Sequence, residues 1–133
     1  MADRHFTPEE VEALIPRLTE LIDGLRAAQG AGAAARARLA AEQQRLTLAG
    51  GGLLDQERWR ADRARLEEAT KAAQTAVDAL HALGGVPKDV ELGLVDFPHL
   101  REGRLVNLCW QYGESHVGWW HGFDEGYAAR KPL

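Results

Sequence analysis

Apolar residues at Val11, Leu14, Leu18, Leu21, Leu25 and Ala28 recur in alternating steps of three and four, and this spacing constrains the fold more than any other feature of the chain. Such a stripe runs along one side of an α-helix, so the helix that carries it must pack against something. Ile15 and Ile22 widen it. The start of the helix is marked independently: Thr7 can cap, Pro8 suits the first helical position, Glu10 completes a capping box and Phe6 can staple onto Val11. Pro16 removes the amide that would bond the Glu12 carbonyl, which predicts a kink rather than an end because the stripe keeps its phase beyond it. Gly30 and Gly32 cost about 2 kcal/mol in a helix interior and argue for a loop. Phase argues the other way, since the same count places Ala35, Leu39 and Leu46 on the stripe. One bent helix from Pro8 to about Leu48 is therefore expected, roughly 60 Å long at 1.5 Å per residue.

Ala49 and the three glycines after it make an emphatic turn. A second helix follows over about 55–83, with Asp55 as cap and Leu54 placed to staple onto Trp59. Its stripe runs through Trp59, Leu66, Ala69, Ala73, Ala76, Leu80 and Leu83, and Gly84 with Gly85 ends it. Residues 7–84 thus read as a long antiparallel, coiled-coil-like hairpin. A hairpin has only one internal face and would leave much of Leu14, Ile15, Ile22 and Val77 open, which predicts a twofold homodimer forming a four-helix bundle. The alternative is that the tail folds back over the stripe within one chain.

Beyond Gly85 the pattern changes from helical spacing to strands. Leu105 to Trp110 and His116 to Trp120 flank Gln111-Tyr112-Gly113-Glu114, which reads as a hairpin connection. In that register Cys109 faces His116, Leu108 faces Val117 and Val106 faces Trp119. Gly93 to Phe97 adds a possible third strand that Pro98 would terminate. The expected fold is mainly α with a small β region (α+β): one domain over residues 1–133, with a β-rich tail over 85–133.

A chain of 133 residues buries enough surface to fold without metals or disulfides, so any metal would serve function. A net charge of -4 argues against a nucleic-acid partner, and acidic neighbours break up the one basic cluster, Arg58 to Arg65. The single cysteine, Cys109, fits a reducing cytosol. The chain shows neither a signal-peptide core nor an apolar run long enough for a membrane span, so a cytoplasmic location without membrane association is expected.

The tail gathers the reactive side chains. Cys109, His116, Glu114, His121 and Asp96 are residue types that bind transition metals, and a thiolate with an imidazole suits Zn or Fe far better than Ca or Mg. None stands at a spacing that places ligands by itself, and a buried, inert cysteine is the commoner reading. Cys109 could also be a nucleophile beside a histidine base, although no amide-rich oxyanion site accompanies it. Trp110, Tyr112, Trp119 and Trp120 read either as core or as the walls of a ligand pocket. Arg130 is suited to an anionic ligand or to a bridge with Asp96 or Glu114. His5, His81 and His99 carry less weight.

The run G-L-V-D-F-P at Gly93 to Pro98, L-C-W at Leu108 to Trp110, Gly113-Glu114, Trp120-His121, then Gly126, Tyr127, Arg130, Pro132 and Leu133, resembles a family of short bacterial proteins of unknown function. The start F-T-P-E-E-V and Ile15 to Leu18 are similar to that family's amino end. The resemblance implies a helical hairpin of variable sequence with a fixed tail, whose shared polar positions fall on Asp96, Cys109, Glu114, His121 and Arg130. His116 lies outside that pattern.

The resulting expectation is a dimeric hairpin scaffold with a site in its tail. The metal set would be Cys109, His121, Glu114 and His116, holding Zn or Fe. The small-molecule set would be Asp96, Trp110, Glu114, Trp120 and Arg130. The competing readings are an adaptor acting through its helical stripe and a thiol-dependent enzyme using Cys109.

Overall fold

The first helix begins as its capping sequence dictates. The Thr7 amide donates to Glu10 Oε1 at 2.8 Å and the Glu10 amide donates to Thr7 Oγ1 at 3.1 Å, a reciprocal capping box. Phe6 and Val11 are both buried beside it. In this computed structural model, which describes residues 4–133, α1 (Pro8–Leu48) runs through Pro16, Gly30 and Gly32 without interruption. It ends in a Schellman motif, with the Gly51 amide on the Leu46 carbonyl and Gly50 at φ 69°. The second helix, α2 (Gln56–Leu83), is capped by Asp55, whose Oδ1 accepts from the Arg58 amide. It closes with the same motif at Gly84, whose φ is 98°.

Packing divides the chain into two compact units. One is Gly24–Thr75, where the two helices meet along small residues: Ala28, Ala35 and Ala69 are buried, and a Cβ on Gly32 would stand 3.5 Å from that of Ala69. Asp62 is buried in this unit and accepts from Arg38 (2.8 Å) and Arg65 (2.9 Å), which holds its carboxyl below the usual range, the Arg38 bond contributing most.

The other unit joins the described residues up to Asp23 with Ala76–Leu133. Here β1 (Val86–Asp89), β2 (Leu94–Arg101), β3 (Arg104–Gln111), β4 (Trp119–His121) and β5 (Lys131–Pro132) form one antiparallel sheet in chain order, with a 3-10 turn at Tyr127–Ala129. The described residues therefore make an α+β fold. Val95, Phe97, Leu108 and Trp110 alternate onto one face and are fully buried. Phe6 meets Phe97 edge-on at 5.1 Å. Ile22 is fully buried and Leu14, Ile15 and Val77 are partly covered within one chain. Much of the stripe that argued for a second copy is thus covered by the chain itself.

Two strand expectations are corrected. The β2–β3 hairpin turns at Glu102-Gly103, both at positive φ (51° and 79°); a turn also forms at Gln111 to Glu114, where the Glu114 amide donates to the Gln111 carbonyl at 2.9 Å, but β4 pairs with β3 only from Trp119. Pro98 does not end β2 but sits inside it, opposite Asn107. Its carbonyl accepts from the Phe6 amide at 2.7 Å, so the edge that lacks an N–H faces the chain entering α1. His99 Nδ1 lies 2.7 Å from the Phe6 carbonyl and supplies the contact that the proline amide cannot.

Candidate metal centre

Strand register assembles the site. Asp96 pairs with Cys109 across β2 and β3, and Asn107 pairs with His121 across β3 and β4. Because side chains alternate along a strand, Asp96, Cys109, Asn107 and His121 share one face, opposite that of Phe97, Leu108 and Trp110. Asp96, Cys109 and His121 are 2, 1 and 3 % exposed. One ligand atom from each, a carboxylate oxygen, the thiol sulfur and an imidazole nitrogen, lies within 4.8 Å of the other two. Among the described residues this is the one such cluster of three.

The tautomer of His121 follows from its neighbours. Its Nδ1 lies 2.8 Å from the Gly122 carbonyl, which can only accept, so Nδ1 carries the proton. In the neutral ring Nε2 then presents a lone pair, and it stands 3.0 Å from Asp96 Oδ2. The two are near enough for an ion pair but are not aligned for a hydrogen bond. Neither Asp96 oxygen meets a well-aligned hydrogen-bond donor, and the Cys109 thiol is the protonated group that faces it. A buried carboxylate facing an imidazole lone pair is costly unless a cation or proton lies between them. Burial, then the Asp96 carboxylate, pushes the Cys109 thiol up to about 12, with Arg130 acting in the opposite sense.

Glu114 and His116, expected as metal donors, are elsewhere. Glu114 Oε1 accepts from the Gln111 amide at 2.8 Å, and both its oxygens accept from Arg130 at 2.9 and 3.0 Å. Its carbonyl accepts from Trp110 Nε1. Glu114 is therefore a clasp within the tail. His116 is 83 % exposed and reaches Glu12 Oε1 at 3.2 Å, and the Val117 amide donates to the same oxygen. With 116 and 117 tied to α1, pairing starts later: Leu108 faces Trp120, not Val117, and Cys109 does not face His116. That offset is three residues, and an odd slip exchanges faces.

The expected small-molecule set is divided between the two faces. Trp110 is fully buried opposite Asp96. Trp120 lies on the Trp110 side of the sheet, while Arg130 rests near the rings of Trp119 and Tyr127 at 5.0 and 5.1 Å. An Arg130 nitrogen also donates to the Cys109 carbonyl at 3.1 Å. Burial works to lower the Arg130 pKa, but the Glu114 hydrogen bond and nearby negative groups carry it upward. The Gly122 carbonyl, which sets the His121 tautomer, was invisible beforehand, because any residue can supply a carbonyl.

The chain matches over residues 4–133 a family described as "Uncharacterized conserved protein (DUF2203)". No curated protein and no solved structure matches it.

Proposed function

The chain belongs to the DUF2203 family, and we propose that it is a helical-hairpin scaffold for one buried transition-metal ion bound by Asp96 Oδ, Cys109 Sγ and His121 Nε2. The observation that carries this reading is the convergence of buried Asp96, Cys109 and His121 ligand atoms within 4.8 Å of one another, with Nε2 turned to the Asp96 carboxylate and the Nδ1 proton directed to the Gly122 carbonyl. A ligating histidine commonly donates its other nitrogen to a carbonyl in this way. A thiolate and a carboxylate neutralise a divalent ion, so the closed site would carry no net charge. Sulfur and imidazole favour Zn or Fe(II) over Mg or Ca. Three protein donors leave room for a fourth ligand. The reading of Cys109 as a free nucleophile loses ground, since a buried thiol raised to about 12 supplies almost no thiolate at neutral pH.

The test is elemental analysis of protein purified without tag or chelator, together with cobalt substitution. Near one equivalent of metal per chain is expected, with a thiolate-to-cobalt charge-transfer band that Cys109→Ser abolishes. Asp96→Asn and His121→Ala should each lower occupancy, while His116→Ala should not. Metal-free protein that also refuses added Zn and Co, or full occupancy in the three ligand variants, defeats the proposal.

A further inference from the structure

The opposite face of the sheet changes character along β2 and β3. It is dry at Val95/Trp110 and Phe97/Leu108, passes through His99/Val106, and ends at the cross-strand pair Arg101/Arg104. Beside that end lies a cavity of about 560 Å³, within the roughly 300–1,000 Å³ usual for small-ligand sites. Trp120 forms part of its wall, with the Arg101 guanidinium 4.8 Å from the ring and the Lys131 ammonium also 4.8 Å from it. Contact with the ring holds Arg101 in place without using its N–H donors.

The charges lining this cavity divide into two groups. Lys131 and Glu125 are engaged with each other at 2.7 Å, and Glu125 also accepts from the Gly122 amide. Arg101, Arg104, Glu102 and Asp124 line the same space, and among the described residues none of their side chains makes a hydrogen bond or ion pair. Two cations and two anions share one cavity without bridging one another. Phe123 adds apolar surface there, 57 % exposed. A polyanion would be repelled by the two carboxylates, and a simple cation by the two guanidinium groups.

We infer that this cavity binds a small dipolar ligand of the α-amino acid type with an apolar side chain. Its carboxylate meets Arg101 and Arg104, its ammonium meets Asp124 and Glu102, and its side chain rests on Phe123. The arginine fork suits a carboxylate in-plane. Both charges are needed, because either alone leaves one half of the lining unanswered. The site is independent of the metal proposal.

Calorimetric titration of the full chain tests it with three probes: L-phenylalanine, 3-phenylpropanoate, which lacks the ammonium, and phenethylamine, which lacks the carboxylate. L-phenylalanine should saturate, with each analogue about tenfold or more weaker, the value of one charged hydrogen bond. Arg101→Gln should weaken L-phenylalanine and 3-phenylpropanoate but not phenethylamine. Asp124→Asn, at an exposed loop position, should do the reverse. This crossed pattern is one that a general loss of structure does not produce. Absence of saturation by L-phenylalanine at ~10 mM, equal binding of the analogues, or variants that weaken all probes alike overturns the inference.

Discussion

Removing the thiol of Cys109 should change how stability responds to alkaline pH. In the folded, metal-free chain burial and the Asp96 carboxylate raise this thiol from 9.0 to about 12, so the native state holds its proton more tightly than the unfolded chain does. The stabilising effect of that difference is complete below pH 9.0 and is lost as pH climbs towards about 12. Three pKa units correspond to about 4 kcal/mol across the whole window, and near pH 10.5 about 2 kcal/mol should already be gone. Urea unfolding of chelator-treated wild type and Cys109→Ser, from about pH 8 to about pH 11, isolates the effect, because serine does not titrate there. The difference in unfolding free energy between the two should fall by about 1.4 kcal/mol per pH unit above the unfolded thiol pKa. Parallel curves would refute the reasoning and mean that the thiol is neither desolvated nor pressed by Asp96. Zn-loaded wild type should lose the slope, since a coordinated thiol is already deprotonated.

Two further substitutions probe the packing around the site. Gly84→Ala places a Cβ 2.2 Å from Phe6 Cζ at a φ of 98°; it should cost about 3 kcal/mol through strain and the displaced Phe6–Phe97 contact. Gly50→Ala, at positive φ with nothing near, should cost about 1 kcal/mol, and equal melting-temperature losses for the two would contradict this account. Arg130→Gln removes the partner of Glu114, whose side chain is 26 % exposed, and should cost about 2 kcal/mol in chemical unfolding; a loss below about 0.5 kcal/mol would mean that the clasp contributes nothing.

Much of this fold was legible locally. The capping box at Thr7 and Glu10, the cap at Asp55, the stripe carried through Gly30 and Gly32, and the helix ends at Gly50 and Gly84 all concern residues within five positions of one another. Helical hydrogen bonds and caps have that same reach, so spacing alone determines them. The turn at Glu102-Gly103 has its signal too, a glycine between the paired Arg101 and Arg104, less conspicuous than the one at Gln111 to Glu114. How far the tail covers the hairpin stripe depends on long-range packing, which nothing local decides.

The candidate centre divides differently. Composition singled out Asp96, Cys109 and His121 as the right kinds of donor, and alternation along β3 put Cys109 opposite Trp110 in facing. Pairing offset was beyond reach, because nothing local marks where β4 begins to pair, and the offset of three residues exchanged the faces of its side chains. What settled the offset was Glu12 on α1, which takes the Val117 amide and the His116 ring and so delays β4 until Trp119. His116 was thereby removed and His121 brought onto the Asp96 face. By itself the sequence determined the helices, their caps and the chemical types in the tail, since each depends on near neighbours along the chain. Tertiary structure alone decided which of those donors meet, because a site built across three strands depends on contacts that loops and a distant helix impose.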